Sequence, residues 1–93
     1  MKKAQKAKAE TFITEAEGLL SKRSGWFSSS KERNAEEAAE TFEKAANAFK
    51  VGGLNKEAGD TYVRAAELYR DRLSDFNHAS KAFSNAGTNN EHK

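Results

Sequence analysis

The chain has 93 residues and a mean hydropathy of −0.92, so it forms one domain at most and lacks the apolar residues for a large buried active-site core. Sixteen basic and fourteen acidic side chains give a net charge of +2, which is too small to indicate nucleic-acid binding. The absence of cysteine excludes disulfide scaffolds, thiol catalysis and Cys-ligated zinc. Sixteen alanines and no proline predict an all-α protein.

Helix start and stop signals predict four helices in a single domain that spans residues 1–93. The predicted bounds are about 3–22, 35–51, 56–73 and 77–87. Gly25 ends the first helix, and Gly52 with Gly53 ends the second. Asn34 is the predicted N-cap of the second helix, because its side chain can accept a hydrogen bond from an unpaired backbone N–H group. The fourth helix is expected to decay into a polar tail after Gly87.

Apolar residues recur about every 20 residues in successive helices, which is the strongest organisational signal in the sequence. In the second and third helices the repeated positions are Ala38, Phe42, Ala45, Ala46 and Phe49, then Ala58, Tyr62, Ala65, Ala66 and Tyr69. A helix that recurs every 20 residues is half of a helical hairpin repeat of about 40 residues. The pattern therefore predicts antiparallel helix hairpins that resemble tetratricopeptide repeats, and the weak last helix suggests a longer array.

Few residues are candidates for catalysis or metal binding. The histidines, His78 and His92, form no catalytic or metal-binding motif with their neighbours in sequence, and no glycine-rich phosphate loop occurs. Charged pairs such as Glu40 and Lys44 are explained by a solvated helix face. We therefore expect no enzymatic activity and no cofactor or metal. Without a signal peptide or an 18-residue apolar run, a cytosolic location is expected.

The predicted loop at 24–30 departs from the usual polar character of loops, because it contains Trp26 and Phe27. Basic residues flank it on both sides: Lys22, Arg23, Lys31 and Arg33. One interpretation is that the two rings fold back onto the first two helices as a hydrophobic plug. The other is contact with an anionic membrane, in which rings enter the interface and cations meet the head groups.

Three ordered segments carry a resemblance to the soluble NSF attachment proteins (alpha-SNAP type), and the resemblance covers nearly the whole chain. They are KRSGWFSS at 22–29, AEEAA at 35–39 with FEKAANAFK at 42–50, and EAGD at 57–60 with AAELY at 65–69. These proteins are adaptors that bring the ATPase NSF onto SNARE complexes. The resemblance implies a right-handed twisted layer of antiparallel helices.

The resemblance also implies a SNARE complex, an NSF-type ATPase and an anionic membrane surface as partners, with no nucleic acid. It implies a cytoplasmic protein that is peripheral on membranes and acts in vesicle fusion and SNARE disassembly. Trp26 and Phe27 match the loop with which the family touches membrane. Lys56 and Arg64 are candidates for SNARE contact, and a solvated helix face is the alternative for both.

This sequence departs from the family in length, since family members are several times longer. The region by which they stimulate NSF lies at their far C-terminus, so we expect no stimulation by these 93 residues. The segment 89–93 is polar where the family continues with an apolar helix. The alternative function is a free-standing tetratricopeptide-like module that binds a peptide and in which Trp26 and Phe27 are structural.

Overall fold

A computed structural model describes the backbone of residues 2–21 and 28–91, and the side chains of residues 3–21 and 33–87. Its helices are α1 (Lys2–Ser21), α2 (Ser28–Val51), α3 (Asn55–Asp71) and α4 (Phe76–Glu91). No strand occurs within these described residues. The prediction of an all-α chain with four helices is confirmed.

Two predicted helix boundaries are wrong. α2 begins at Ser28, seven residues before the predicted start, so Asn34 lies inside the helix and is not its N-cap. The reason is that residues 31–33 are Lys, Glu and Arg, which favour helix as strongly as the residues that follow them. α4 continues past Gly87 to Glu91, because a single glycine weakens a helix but does not end it.

Each helix packs antiparallel against its neighbour in sequence. The Tyr62 hydroxyl of α3 donates a hydrogen bond to Asn47 Oδ1 of α2, and the Tyr69 hydroxyl donates one to Glu43 Oε1 at 3.0 Å. From Tyr62 to Tyr69 the position on α3 advances, whereas the partner on α2 moves back from Asn47 to Glu43. This opposite order shows that the two helices are antiparallel. The Cα atoms extend over 44 × 27 × 11 Å, so the hairpins form a thin layer. The predicted repeat of antiparallel hairpins is confirmed.

Alanines and aromatic rings form the core, as the 20-residue repeat predicts. All ten repeated positions of the second and third helices are buried. Among the described residues, Phe42 is the largest fully buried side chain, with 1% of its surface exposed. It lies in a cluster to which all four helices contribute buried residues: Ala16, Ala38, Ala39, Ala65, Tyr69 and Ala79. Small side chains let the helices approach, and the rings fill the space between them.

The connection between α3 and α4 is held by a cap at the start of α4. Ser74 has a positive φ of 51°, which turns the chain between the two helices. The His78 backbone N–H donates to Asp75 Oδ1 at 3.1 Å, and His78 Nδ1 lies 2.6 Å from Asp75 Oδ2. The His78 ring stacks on Tyr69 with its centroid 5.0 Å away. These contacts, led by the backbone hydrogen bond, lower the pKa of the Asp75 carboxyl.

Phe42→Ala should destabilise the fold by about 3 to 5 kcal/mol, because it removes a fully buried ring and leaves a cavity between alanines that cannot collapse far. Urea unfolding followed by circular dichroism measures this. Phe76→Ala is the matched control, because Phe76 is 66% exposed and its loss should change the free energy of unfolding by less than about 0.5 kcal/mol. Equal effects of the two substitutions would show that the repeated stripe is not the core.

Stability should fall at alkaline pH because of the two buried tyrosines. Burial raises the pKa of Tyr69 and Tyr62 above the usual value near 10, and the charge of Glu43 raises both further. The folded chain thus favours neutral phenols, and this contribution is complete below about pH 10 and is lost as the pH rises above it. Urea midpoints measured across this range should decrease, and Tyr69→Phe should flatten the decrease. Identical profiles for the two proteins would contradict the assignment.

Candidate functional site

The residues predicted to contact membrane fall mostly outside the part of the chain that the structure describes. Trp26, Phe27, Lys22 and Arg23 belong to residues 22–27, which lie outside it. Lys31 lies in α2, and Arg33 is exposed on the same helix. The structure therefore supplies the two helix ends on either side, Ser21 and Ser28, and the membrane contact stays a prediction.

Ser21 and Ser28, the helix ends on either side of residues 22–27, lie at one end of the layer. Because consecutive helices are antiparallel, the C-terminal ends of α1 and α3 lie at the same end as the N-terminal ends of α2 and α4. This end also carries Phe76, which is 66% exposed, and the exposed Arg72. Sequence analysis missed Phe76, because it precedes Ala79, Phe83 and Ala86 by 3, 7 and 10 residues and so shares the spacing of their apolar stripe. It is nevertheless exposed, at the first residue of α4.

Arg64 fills a structural role in addition to any surface role. Its Nη2 atom lies 3.0 Å from Glu17 Oε2, and its guanidinium carbon lies 4.4 Å from the centroid of the Phe42 ring. These two contacts join α1 to α3 across α2. The Arg64 side chain is still 43% exposed, so the pair is worth about 0.2 to 1 kcal/mol, as exposed ion pairs are. The Arg64 guanidinium therefore contributes to helix packing and is also partly accessible to a partner.

Lys56, the other candidate for SNARE contact, is exposed in the first turn of α3. It lies eight residues before Arg64, which is about 12 Å along the helix axis. The exposed side of α3 between and beyond them also carries acidic side chains: Glu57, Asp60, Glu67 and Asp71. The structure therefore brings Lys56 and Arg64 onto one helix, but the surface they share is mixed in sign rather than a basic patch.

A groove of about 540 Å³ lies between the N-terminal half of α1 and the C-terminal half of α2. Residues that line it include Lys8, Phe12, Lys44, Asn47, Ala48 and Val51. The helices come close at one end of the groove, where a Cβ atom added to Gly52 would lie 3.0 Å from the Cβ of Gln5. The groove is the site that sequence analysis missed. Its signal was the spacing i, i+3, i+7 of Lys44, Asn47 and Val51 on the outer side of α2.

The described residues offer little else that could perform chemistry. His78 is accounted for by the cap of α4, where it contacts Asp75 and Tyr69. No group of three or more His, Asp or Glu side chains in the described ranges is arranged to hold a metal ion. A helix long and apolar enough to cross a membrane is likewise missing from the residues that the structure describes.

Comparison with known families matches residues 7–93 to the family described as "Soluble NSF attachment protein, SNAP". Comparison with curated proteins gave no significant match, and comparison with solved structures gave none either. The family match includes most of α1 and all of α2, α3 and α4. The resemblance found in the sequence is thereby confirmed, and the chain belongs to the soluble NSF attachment protein family.

Proposed function

We propose that the chain is a non-enzymatic adaptor that binds SNARE complexes during vesicle fusion and SNARE disassembly. Its partners are the SNARE complex, an NSF-type ATPase and an anionic membrane, and it acts at the cytoplasmic surface of membranes as a peripheral protein. The family match over residues 7–93 is the observation that carries this proposal. It also favours the adaptor over a free-standing peptide-binding module, because the family is one of attachment proteins.

The membrane contact in this proposal is made by Trp26 and Phe27. Each ring gains on the order of 1.5 to 3 kcal/mol when it leaves water. The cations Lys22, Arg23, Lys31 and Arg33 each add up to about 1 kcal/mol near anionic lipid. Glu32 and the ordering of the segment subtract from this sum. The result is weak, salt-sensitive binding that becomes effective when a SNARE complex holds the adaptor at the surface.

The helix arrangement supports this proposal by placing further suitable residues at the same end of the layer. Phe76 exposes two thirds of its surface there, which is costly in water and favourable in a membrane interface. Arg72, four residues before Phe76 in the sequence, is also exposed. In this proposal Phe76 is an additional membrane contact, at the end of the layer where α1 ends and α2 begins.

Vesicles that contain phosphatidylserine should shift the fluorescence of Trp26 to shorter wavelength, because the ring moves from water into the interface. Trp26 is the sole tryptophan, so the signal reports this segment alone. High salt should reverse much of the shift. Combined Trp26→Ser and Phe27→Ser substitutions should abolish co-sedimentation with vesicles while helicity is retained. Emission that is already blue-shifted in buffer, together with unfolding of the double variant, would identify the rings as a core plug.

Phe76→Ser should weaken co-sedimentation with the same vesicles about 5- to 10-fold, because the ring contributes part of the apolar area that enters the interface. Val51→Ser is the matched control. Val51 is 72% exposed but lies at the C-terminal end of α2, at the opposite end of the layer. Equal losses for the two variants would mean that exposed apolar area, wherever it lies, drives the association.

Binding to an assembled SNARE complex tests the adaptor role itself. Lys56→Glu and Arg64→Glu should each weaken binding several-fold, because both reverse a cation on the exposed side of α3. Glu17→Gln is the control for Arg64, since it breaks the ion pair with Glu17 and leaves the cation in place. Binding should survive Glu17→Gln. Absence of binding by the unmodified chain at high concentration would refute SNARE recognition by these residues.

A further inference from the structure

The groove between α1 and α2 combines two kinds of lining that an anionic, partly apolar ligand requires. Lys8 and Lys44 supply positive charge, and Phe12, Ala48 and Val51 supply apolar surface. Gln5 and Asn47 add amide groups that can donate hydrogen bonds. No carboxylate is among the described residues that line the groove. In a chain with nearly balanced charge, this is a locally basic site.

The two lysines are available to a ligand. Neither forms an ion pair with any carboxylate whose side chain the structure describes, and Glu40, one turn before Lys44, does not approach it closely enough to form one. The repeat supplies a comparison, since Arg64 follows Lys44 by 20 residues and occupies the corresponding position in α3. Arg64 is held by Glu17 and by the Phe42 ring, whereas Lys44 has no such contacts.

The apolar part of the groove is also uncovered. Val51 exposes 72% of its surface, and among large apolar side chains in the described ranges only Phe76 is comparably exposed. Phe12 is half-buried, and Ala48 is buried beneath them at 6% exposure. A ligand group of side-chain size that covers these three residues removes apolar area from water, which favours binding.

We propose that this groove binds an acidic peptide segment in which one large apolar side chain is flanked by carboxylates. The apolar side chain lies on Phe12, Ala48 and Val51, and the carboxylates pair with Lys8 and Lys44. Asn47 Oδ1 already accepts a hydrogen bond from the Tyr62 hydroxyl, which leaves the Asn47 amide N–H groups for a peptide carbonyl. A volume of about 540 Å³ takes one or two side chains of an extended or helical segment, and not a folded domain.

The position of the groove separates this proposal from the membrane contact. The groove lies beside the C-terminal half of α2, whereas residues 22–27 precede the N-terminal end of the same helix. One chain can therefore hold a peptide in the groove and contact a membrane at its other end. The peptide site does not depend on the proposed adaptor function, and it can be tested without vesicles or SNARE proteins.

A synthetic peptide with one leucine flanked on both sides by glutamates is the probe, titrated into the isotope-labelled chain and followed by the backbone amide resonances. The amides of Lys8, Lys44, Asn47 and Val51 should shift in a saturable manner. Lys8→Glu and Lys44→Glu should each weaken the affinity about 5- to 10-fold. Lys81→Glu, which changes an exposed lysine on α4 by the same amount of charge, should leave the affinity unchanged. Replacing the peptide leucine with serine should weaken it about 10-fold.

Several results would overturn the proposal. Equal binding of a peptide with lysines in place of the glutamates would exclude recognition of acidic groups, and shifts confined to other residues would exclude this groove. Unchanged affinity in the Lys8→Glu and Lys44→Glu variants would exclude ion pairs between these two lysines and the peptide carboxylates. If phosphatidylserine vesicles shift these amides and the acidic peptide does not, the groove is a lipid contact and the peptide assignment is wrong.

Discussion

The packing of aromatic rings against alanines is the constraint on which the rest of the structure depends. Alanine buries little apolar area, so helices built mainly from alanine approach closely but gain little stability from each contact. Phe42, Phe49, Tyr62 and Tyr69 supply the larger buried surfaces, two rings for each of the two central helices. Since these rings and the alanines occupy the faces between helices, the described outer sides of the helices are mostly polar, with Val51 and Phe76 as large apolar exceptions.

The difference between phenylalanine in α2 and tyrosine in α3 links the core to the surface. The hydroxyls of Tyr62 and Tyr69 reach Asn47 and Glu43 on the outer part of α2. A phenylalanine at either position would fill the same space but would form no hydrogen bond to hold the Asn47 or Glu43 side chain in place. Asn47 also lines the groove, so the rotamer of a groove residue is set by a ring whose body lies in the core. The core and the candidate peptide site are therefore one connected arrangement.

Periodicity predicted the helices, their antiparallel pairing and the buried stripe, because each depends on residues within about 20 positions of one another. It did not predict contacts between distant segments. The groove is formed by Lys8 of α1 and Lys44 of α2, and the ion pair of Arg64 is formed with Glu17. Both pairs are distant in sequence and are brought together only when the helices pack. The start of α2 was also misplaced, since Asn34 resembles a cap in sequence but is preceded by three residues that favour helix. Local signals compete at helix ends, and the stronger run of helix formers decides.

The exposed apolar side chains Val51 and Phe76 show how the fold can separate two binding surfaces. They lie at opposite ends of the layer, Val51 at the end of α2 and Phe76 at the start of α4. The nearest described charges of the two surfaces, Arg33 and Lys44, are 11 residues apart on α2, which is about 16 Å along the helix axis and about twice the Debye length at physiological salt. The charges of the proposed membrane contact are therefore largely screened from a peptide bound in the groove. A thin layer of antiparallel helices suits an adaptor for this reason, because each end can hold a partner without competition from the other.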